Sequence, residues 1–263
     1  ENNGTISARD WDGKTGGICY FRVNGELTNN GSINVNSKGY RGGDGNENYQ
    51  YSSYGWRGEG IYGVPEGPAR NGQFSYNNSE TGVFYSRLNA GGGARQYGGG
   101  GGGAYVSEGE NGWNEWGQGA SPIGSPDLAK LYFGGGGGSG GMNTSVVEER
   151  RGEGGDGGGI LAVFAQSIIN NGSMESNGIV GNWHGSSSYP SGGDGAGGSI
   201  KIMSSLFQNN STLYALGADN NHSYSGGYGG DGRIRIDTPT DEFFGTISPT
   251  PGYTTIADYT GNS

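Results

Sequence analysis

Hydrophobic residues along this chain occur in short clusters that alternate with polar positions, and glycine-rich stretches separate the clusters. Ile200 and Ile202 alternate with polar neighbours, and Ile234 and Ile236 alternate with arginines. This period of two is typical of half-buried β-strands. No cluster carries a clean helical period of 3.6 residues, so the pattern predicts an all-β fold with little or no helix.

A repeated unit links these clusters. It consists of a Gly-Gly-x-Ile strand, a short link, an Asn-Gly or Asn-Ser turn, a second strand and a glycine loop, and it recurs at 16–35, 158–174 and 197–213. The sequence Gly-Gly-Asp-Gly also recurs four times, at 42–45, 154–157, 192–195 and 229–232. The last three copies are about 37 residues apart. Such periodicity predicts stacked units, here a glycine-rich β-solenoid or β-sandwich-like repeat with polyglycine-rich loops.

The repeat divides the chain into three parts of what we expect to be one continuous domain. Residues 1–45 form an N-terminal β-repeat that includes a candidate intersubunit strand, and residues 154–263 form the C-terminal repeats and tail. Residues 46–153 are rich in glycine and aromatic residues and fit either eroded copies of the repeat or one inserted lobe. Their tracts at 98–103 and 134–141 are either flexible linkers or ordered polyglycine-II-like strands, and the neighbouring aromatic residues favour order.

Composition limits the classes of protein that this chain can belong to. Glycine makes up 62 of 263 residues and hydrophobic residues only 30%. Ordering so much glycine is entropically costly, so the fold needs dense backbone hydrogen bonding in return. Disorder is the alternative, but the apolar residues gather in clusters instead of being diluted along the chain.

The acidic charge of the chain fits an exported, soluble surface protein. The net charge of −10 argues against binding of nucleic acid, whose partners normally present a basic face. No apolar stretch is long enough for a membrane span. The single Cys19 is expected to be a buried, inert thiol. Since residue 1 is Glu, we expect a processed chain or a fragment of a longer one, placed extracellularly or on a cell or virion surface.

Candidate chemistry is sparse, so we predict neither a catalytic activity nor a cofactor. His184 and His222 lack the partner spacing of a zinc site, and no metal site is predicted. Glu108, Glu110 and Glu115 flank two tryptophans in a composition that could grip or cut a sugar. The alternative is a solvated acidic loop with packing tryptophans. A polysaccharide-cleaving enzyme is therefore only the third hypothesis, and mutation of Glu110 and Glu115 would test it.

Other residues suggest contacts rather than chemistry. The aspartates of the Gly-Gly-Asp-Gly copies are expected to bond within their own turns, with calcium binding as the alternative. Aromatic residues suit either glycan or protein recognition or plain packing against glycine. The turn aspartates are Asp44, Asp156, Asp194 and Asp231, and the candidate contact residues are Tyr54, Trp56, Trp113 and Trp116. Candidate glycosylation acceptors are Asn3, Asn30, Asn77, Asn143, Asn171, Asn209, Asn210 and Asn221.

The repeat carries a family resemblance. Its Gly-Gly-x-Ile strands, Asn-Asn-Gly turns, Tyr/Phe-Gly tracts and closing Gly-Gly-Asp-Gly-Arg-Ile-Arg-Ile resemble glycine-rich proteins of phage tail-fibre adhesins and bacterial surface repeat proteins. The match covers 1–45 and 154–237 well and is compositional in between. It implies a β-rich, non-enzymatic surface or fibre role and transfers no catalytic residue.

The two ends of the chain suggest how it assembles. Residues 2–8 copy the second half of the repeat without the strand that should precede it. Strand edges left open in this way are templates for pairing with another molecule. We expect a structural subunit of an extracellular fibre that assembles head to tail, with itself as partner, through a strand that contains Asn3, Thr5, Ile6 and Ala8. The alternative is a receptor-binding adhesin that recognises a cell-surface glycan or protein.

Overall fold

The computed structural model describes residues 1–45, 55–61, 88–94, 98–113, 117–125, 127–141, 152–182, 191–219 and 226–254, and residues 253 and 254 are described as backbone only. Almost no helix occurs in these ranges. The strands are β1 (Thr5–Ser7), β2 (Ile18–Asn29), β3 (Ser32–Asn34), β4 (Ile160–Asn170), β5 (Ser173–Glu175), β6 (Ser199–Met203), β7 (Leu206–Asn209), β8 (Thr212–Tyr214), β9 (Arg233–Asp237), β10 (Thr240–Phe243), β11 (Thr246–Ser248) and β12 (Gly252–Thr254).

These strands form two sheets in which every pairing is parallel. The five-stranded sheet has the order β1-β3-β5-β8-β11. The seven-stranded sheet has the order β10-β7-β4-β6-β9-β12, with β2 also paired to β4. The long strand β4 serves two partners, because its first half pairs with β6 and its second half with β7. The chain thus passes through both sheets in each of four levels: β2–β3, β4–β5, β6–β8 and β9–β11.

The prediction of a β-solenoid or β-sandwich-like repeat is wrong. The strands form parallel sheets, one of them curled, rather than a uniform series of repeat units. The spacing of paired residues shows why. Ser173 pairs with Thr212, 39 positions later, whereas Ser199 pairs with Arg233, 34 positions later. Asn29 meets Asn170 at a separation of 141 residues. The strand-rich, helix-poor part of the prediction agrees with the structure.

The hydrophobic core lies between the two sheets. Most of its fully buried members come from the two central levels, namely Leu161, Val163, Ile168, Met174, Ile200, Ile202, Phe207 and Leu213, and the first and last levels add Ile33, Val35 and Ile236. Strand β2 contains one extra residue relative to β4, a bulge between Val23 and Glu26. Gly25 lies in it with φ of 112°, a conformation that L side chains rarely adopt.

Glycine-rich segments form a second body beside the sheets. In the tract 134–141, every third N–H donates to the same neighbouring segment, so successive residues form hydrogen bonds with three different segments in rotation. This is the pattern of an extended chain with three residues per turn. The bonds, of 2.7 to 3.3 Å, are Gly134→Gly158, Gly137→Gly155 and Gly140→Gly152; Gly135→Ala104, Gly138→Gly101 and Gly141→Gly98; and Gly136→Glu59 and Ser139→Trp56. The ordered polyglycine packing expected for these tracts is therefore confirmed.

Glycine is required in this body because backbones touch directly. A Cβ added at Gly137 would collide with the carbonyl oxygen of Gly193, and one at Gly101 with that of Gln118. The body draws on all three parts of the chain, since segments near residues 42, 101, 137, 155, 193 and 229 contact one another. Between β3 and β4, the described residues contribute no strand to either sheet. The domain boundaries themselves stay predictions.

Candidate assembly interface

The five-stranded sheet ends in two short strands, β1 and β11, each with a single strand partner among the described residues. Thr5, Ile6 and Ser7 of β1 face Ser32, Ile33 and Asn34 of β3. At the far end, β11 pairs with β8 in the same way. Each outer edge therefore presents backbone N–H and C=O groups on which a further strand can form.

The core is only partly covered at these two ends. In the inward column of this sheet, Ile33, Met174 and Leu213 are fully buried. The end members of the column, Ile6 and Ile247, pack against the core but are only partly buried. Coverage by one more strand would bury further apolar surface at each end, which is favourable by about 25 cal/mol per Å².

A buried column of asparagines runs beside the inward column. Asn2, Asn29, Asn170 and Asn209 lie on successive levels, and each side-chain amide donates to the side-chain carbonyl of the next at 2.7 Å. The amides of Asn29, Asn170 and Asn209 each also donate to a backbone carbonyl at 3.1 Å. Asn2 is 8% exposed and the others 0%. Their polar groups are satisfied almost entirely by one another, as burial requires.

A second, exposed column lies one residue further along the chain. The Asn210 amide donates to Asn171, that of Asn171 to Asn30, and that of Asn30 to Asn3. These bonds run in the opposite direction to those of the buried column. At the level of β11 both asparagines are replaced: Phe243 is partly buried and packs edge-on to Phe207, while Phe244 is 74% exposed.

A third column lies one residue further along and contains glycine at every level except that of β8, where Ser211 takes its place. A Cβ at Gly31 would collide with the Gly4 carbonyl oxygen, one at Gly172 with that of Gly31, and one at Gly245 with that of Ser211. Gly4 begins the column, and no described atom lies within 4 Å of its hypothetical Cβ. Its N–H donates to the Asn2 side chain at 3.2 Å.

The predicted assembly residues therefore lie together at one end of the molecule. Thr5 and Ile6 belong to β1, Asn3 precedes it and Ala8 follows it. Asn3 and Thr5 are exposed, whereas Ile6 and Ala8 are partly buried against the core. Sequence reasoning missed the buried asparagine column, although the recurrence of Asn-Asn at 2–3, 29–30, 170–171 and 209–210 was a usable signal.

The predicted contact residues are dispersed. Trp56 is buried in the glycine-rich body, where its backbone N–H donates to the Ser139 hydroxyl at 2.6 Å. Trp113 is 36% exposed, and Tyr54 and Trp116 lie outside the described residues. Of the candidate glycosylation acceptors, Asn3, Asn30, Asn171 and Asn210 form the exposed column and Asn209 is fully buried. Asn77, Asn143 and Asn221 lie outside the described residues.

The aspartates of the Gly-Gly-Asp-Gly copies connect neighbouring segments. The carboxylate of Asp156 accepts from the Gly42 N–H at 2.7 Å, 114 positions away. Those of Asp194 and Asp231 accept from Gly181 and Gly217. Their role therefore extends beyond the turn in which each lies. Asp44 is buried in the same body.

A buried ion pair joins two of the glycine segments. The Arg41 Nε donates to the Glu59 carboxylate at 2.9 Å, and the Trp11 indole N–H donates to the same oxygen at 3.1 Å. Glu59 is 5% exposed. Burial, assisted by the Glu59 charge and by Tyr132, raises the pKa of Tyr40 to about 12.

The described side chains contain little that resembles a reaction centre. Glu108 and Glu110 are exposed, while Glu115, His184 and His222 lie outside the described residues. Cys19 is buried as predicted, and burial raises the pKa of its thiol, which lowers its reactivity. Within the described ranges, no three His, Cys, Asp or Glu side chains are grouped as they would be to hold a metal ion.

Two further results bear on the class of protein. No helix in the described part of the chain combines the length and apolar character needed to cross a membrane. Comparisons with protein-family models, with curated proteins and with solved structures find no match to this chain.

Proposed function

We propose that this chain is a non-enzymatic structural subunit of an extracellular fibre or surface filament, which assembles head to tail through its terminal strands. The observation that carries the proposal is the pair of open ends, where strand edges and half-buried core residues occur together. Ile6 lies at one end and Ile247 at the other. A soluble monomer usually blunts such edges with charge, proline or a covering segment.

The two ends are not equivalent, which determines the kind of assembly. One end carries β1 and the asparagine pair at residues 2–3, and the other carries β11 and the phenylalanine pair at residues 243–244. Contact between unlike surfaces is heterologous, and it gives an open filament unless the rotation closes a ring. All strand pairings among the described residues are parallel, so added copies would keep one direction along the fibre.

The interior supports a structural role. Every N–H of the tract 134–141 donates to a neighbouring backbone carbonyl, and a Cβ added at any glycine from 134 to 138 would collide with a neighbouring carbonyl oxygen. Such packing makes the described part of this body rigid. The acidic net charge of −10 favours solubility before assembly.

Negative-stain electron microscopy tests the proposal directly. Purified wild-type protein should form uniform filaments, and deletion of residues 1–10 should leave a folded but unassembled monomer. The deletion removes β1, so the five-stranded sheet would end at β3. Circular dichroism and size-exclusion chromatography would establish that the shortened chain is folded. Normal filaments from it, or a wild-type protein that remains monomeric at all concentrations, would refute the proposal.

A receptor-binding adhesin is the second candidate, and the exposed Trp113 favours it. Aromatic rings with 36% exposure suit stacking against a sugar ring. Binding of wild-type protein to immobilised cell-surface glycans, and its loss in Trp113→Ala with filaments intact, would support this function instead.

A further inference from the structure

The ends of the two sheets are staggered by one strand. At the N-terminal end, β1 extends the five-stranded sheet one strand beyond the first level, in which β2 is the outermost strand of the other sheet. At the C-terminal end, β12 extends the seven-stranded sheet one strand beyond the last level, in which β11 is outermost. Each end is therefore a step, and the two steps are complementary.

We propose that a second copy of this chain docks on this step by two simultaneous parallel pairings, β11 with β1 of the next copy and β12 with β2 of the next copy. This inference rests on the proposed function and specifies its interface. The step has the same height at both ends, so a copy placed in the same orientation meets both strands at once. An unrelated extended peptide would match only one of them.

The existing columns define the register. Thr5, Ser32, Ser173, Thr212 and Thr246 face one another in succession, so continuation of the column places Thr246 opposite Thr5 of the next copy. In the seven-stranded sheet, a column runs Tyr20, Ala162, Lys201, Arg235 and Gly252. Its continuation places Gly252 opposite Tyr20. Ile247 and Ile6 then meet inside the core.

The hydrogen-bonding groups at the two ends match in this register. Within the molecule, Ser32 N–H donates to Gly4 O, Ser173 N–H to Gly31 O and Thr246 N–H to Ser211 O, at 2.8 to 3.0 Å. The same relation across the junction makes Thr5 N–H donate to Gly245 O of the neighbouring copy. In the same register, the Gly4 N–H would donate to the Phe243 carbonyl of the neighbouring copy. In the single molecule this N–H donates to the Asn2 side chain.

Gly4 becomes the residue most sensitive to this docking. At three of the four later levels the third column brings a glycine Cα against the carbonyl of the preceding level. At the fourth level Ser211 carries a Cβ, and the Thr212 N–H to Gly172 O bond there is 3.4 Å long, against 2.8 to 3.0 Å at the other three levels. In the junction, Gly4 would approach Gly245 O in the same way, although its surroundings in the single molecule are open. A methyl group at position 4 should be harmless to the fold and obstructive to assembly.

The first experiment compares Gly4→Ala with Asn171→Ala, an exposed position on an interior level away from both ends. We expect both variants to unfold within about 0.5 kcal/mol of the wild type. Asn171→Ala should form filaments normally, whereas Gly4→Ala should need a protein concentration roughly tenfold higher or more, as measured by sedimentation. If Gly4→Ala forms filaments as readily as the wild type, the proposed junction is wrong and the proposed function stands. A monomeric wild type would overturn the proposed function as well.

The second experiment uses disulfide trapping and does not depend on Gly4→Ala. In a Cys19→Ala background, Thr5→Cys and Thr246→Cys should place their Cα atoms about 5 Å apart across the junction, within reach of a disulfide. Mild oxidation should give a ladder of covalent oligomers. The pair Thr5→Cys with Ser248→Cys should give none, because two residues along the strand increase the separation to about 8 Å. The opposite result would refute the register.

Discussion

Replacement of Asn170 tests whether the buried asparagine column stabilises the fold. In Asn170→Ala, the Asn209 side-chain carbonyl loses its donor at 2.7 Å, and the Asn29 amide keeps only its bond to Ser173 O at 3.1 Å. Both groups are fully buried, so water does not replace the lost partners without rearrangement.

The magnitude follows from the groups that are left behind. An unsatisfied buried polar group costs about 1–3 kcal/mol, and one group is fully orphaned while another is partly so. Removal of the amide also leaves a small cavity, which lowers the free energy of unfolding by about 24 cal/mol per Å³ of cavity volume. We expect the free energy of unfolding to fall by about 3 kcal/mol. Asn171 is the matched control, since it donates to one asparagine and accepts from another in the exposed column, and Asn171→Ala should cost at most about 0.5 kcal/mol.

Equilibrium unfolding in urea, followed by tyrosine and tryptophan fluorescence below the concentration of assembly, would measure both values. The midpoint should shift for Asn170→Ala with the slope unchanged, and it should hardly move for Asn171→Ala. If the two variants differ in free energy of unfolding by less than about 0.5 kcal/mol, burial does not account for the stability that the column contributes. The reasoning then fails.

Three further outcomes are expected. Gly137→Ala should destabilise the protein by about 3 kcal/mol in the same assay, because its methyl collides with the Gly193 carbonyl; a change within error would contradict the tight packing of the body. Glu59→Gln should cost about 3 kcal/mol, because it leaves Arg41 charged, buried and without its carboxylate; a neutral effect would show that the ion pair is dispensable. Since the pKa of Tyr40 is raised in the folded state, its contribution to stability should be lost as pH rises from 10 to about 12, and Tyr40→Phe should flatten that slope.

The local elements of this fold could be predicted from sequence. Alternation around Ile200 and Ile234 gave strands that exist as β6 and β9. The Asn-Asn-Gly turns at residues 29–31 and 170–172 separate consecutive strands as expected. The apolar surroundings of Cys19 correctly indicated its burial. These features depend on residues that are close in sequence, where periodicity and turn chemistry are informative.

The architecture depends on which distant segments pair, and periodicity alone was misleading there. Strands β2 and β4 are neighbours although more than a hundred residues separate them, and nothing in the spacing of the repeat marks that pairing. The aspartates show the same difficulty at the scale of a side chain. Asp156 resembles a turn residue in sequence, but its partner Gly42 becomes visible only when the glycine segments are packed side by side.

In the proposed assembly, continuity between the glycine-rich body and the sheets would make the register of docking strict. The segments around residues 155, 195 and 229 contact one another in the same order as the strands β4, β6 and β9 that follow them. A shift of one residue at a sheet end would turn inward side chains outward and would also displace the attached glycine segments. In that body, contacts between backbones leave no flexible side chain to absorb the displacement. Under the proposed assembly, a wrongly placed copy would be penalised in the core and in the glycine packing at once, and this double penalty would let a chain with long glycine tracts recognise its own copy specifically.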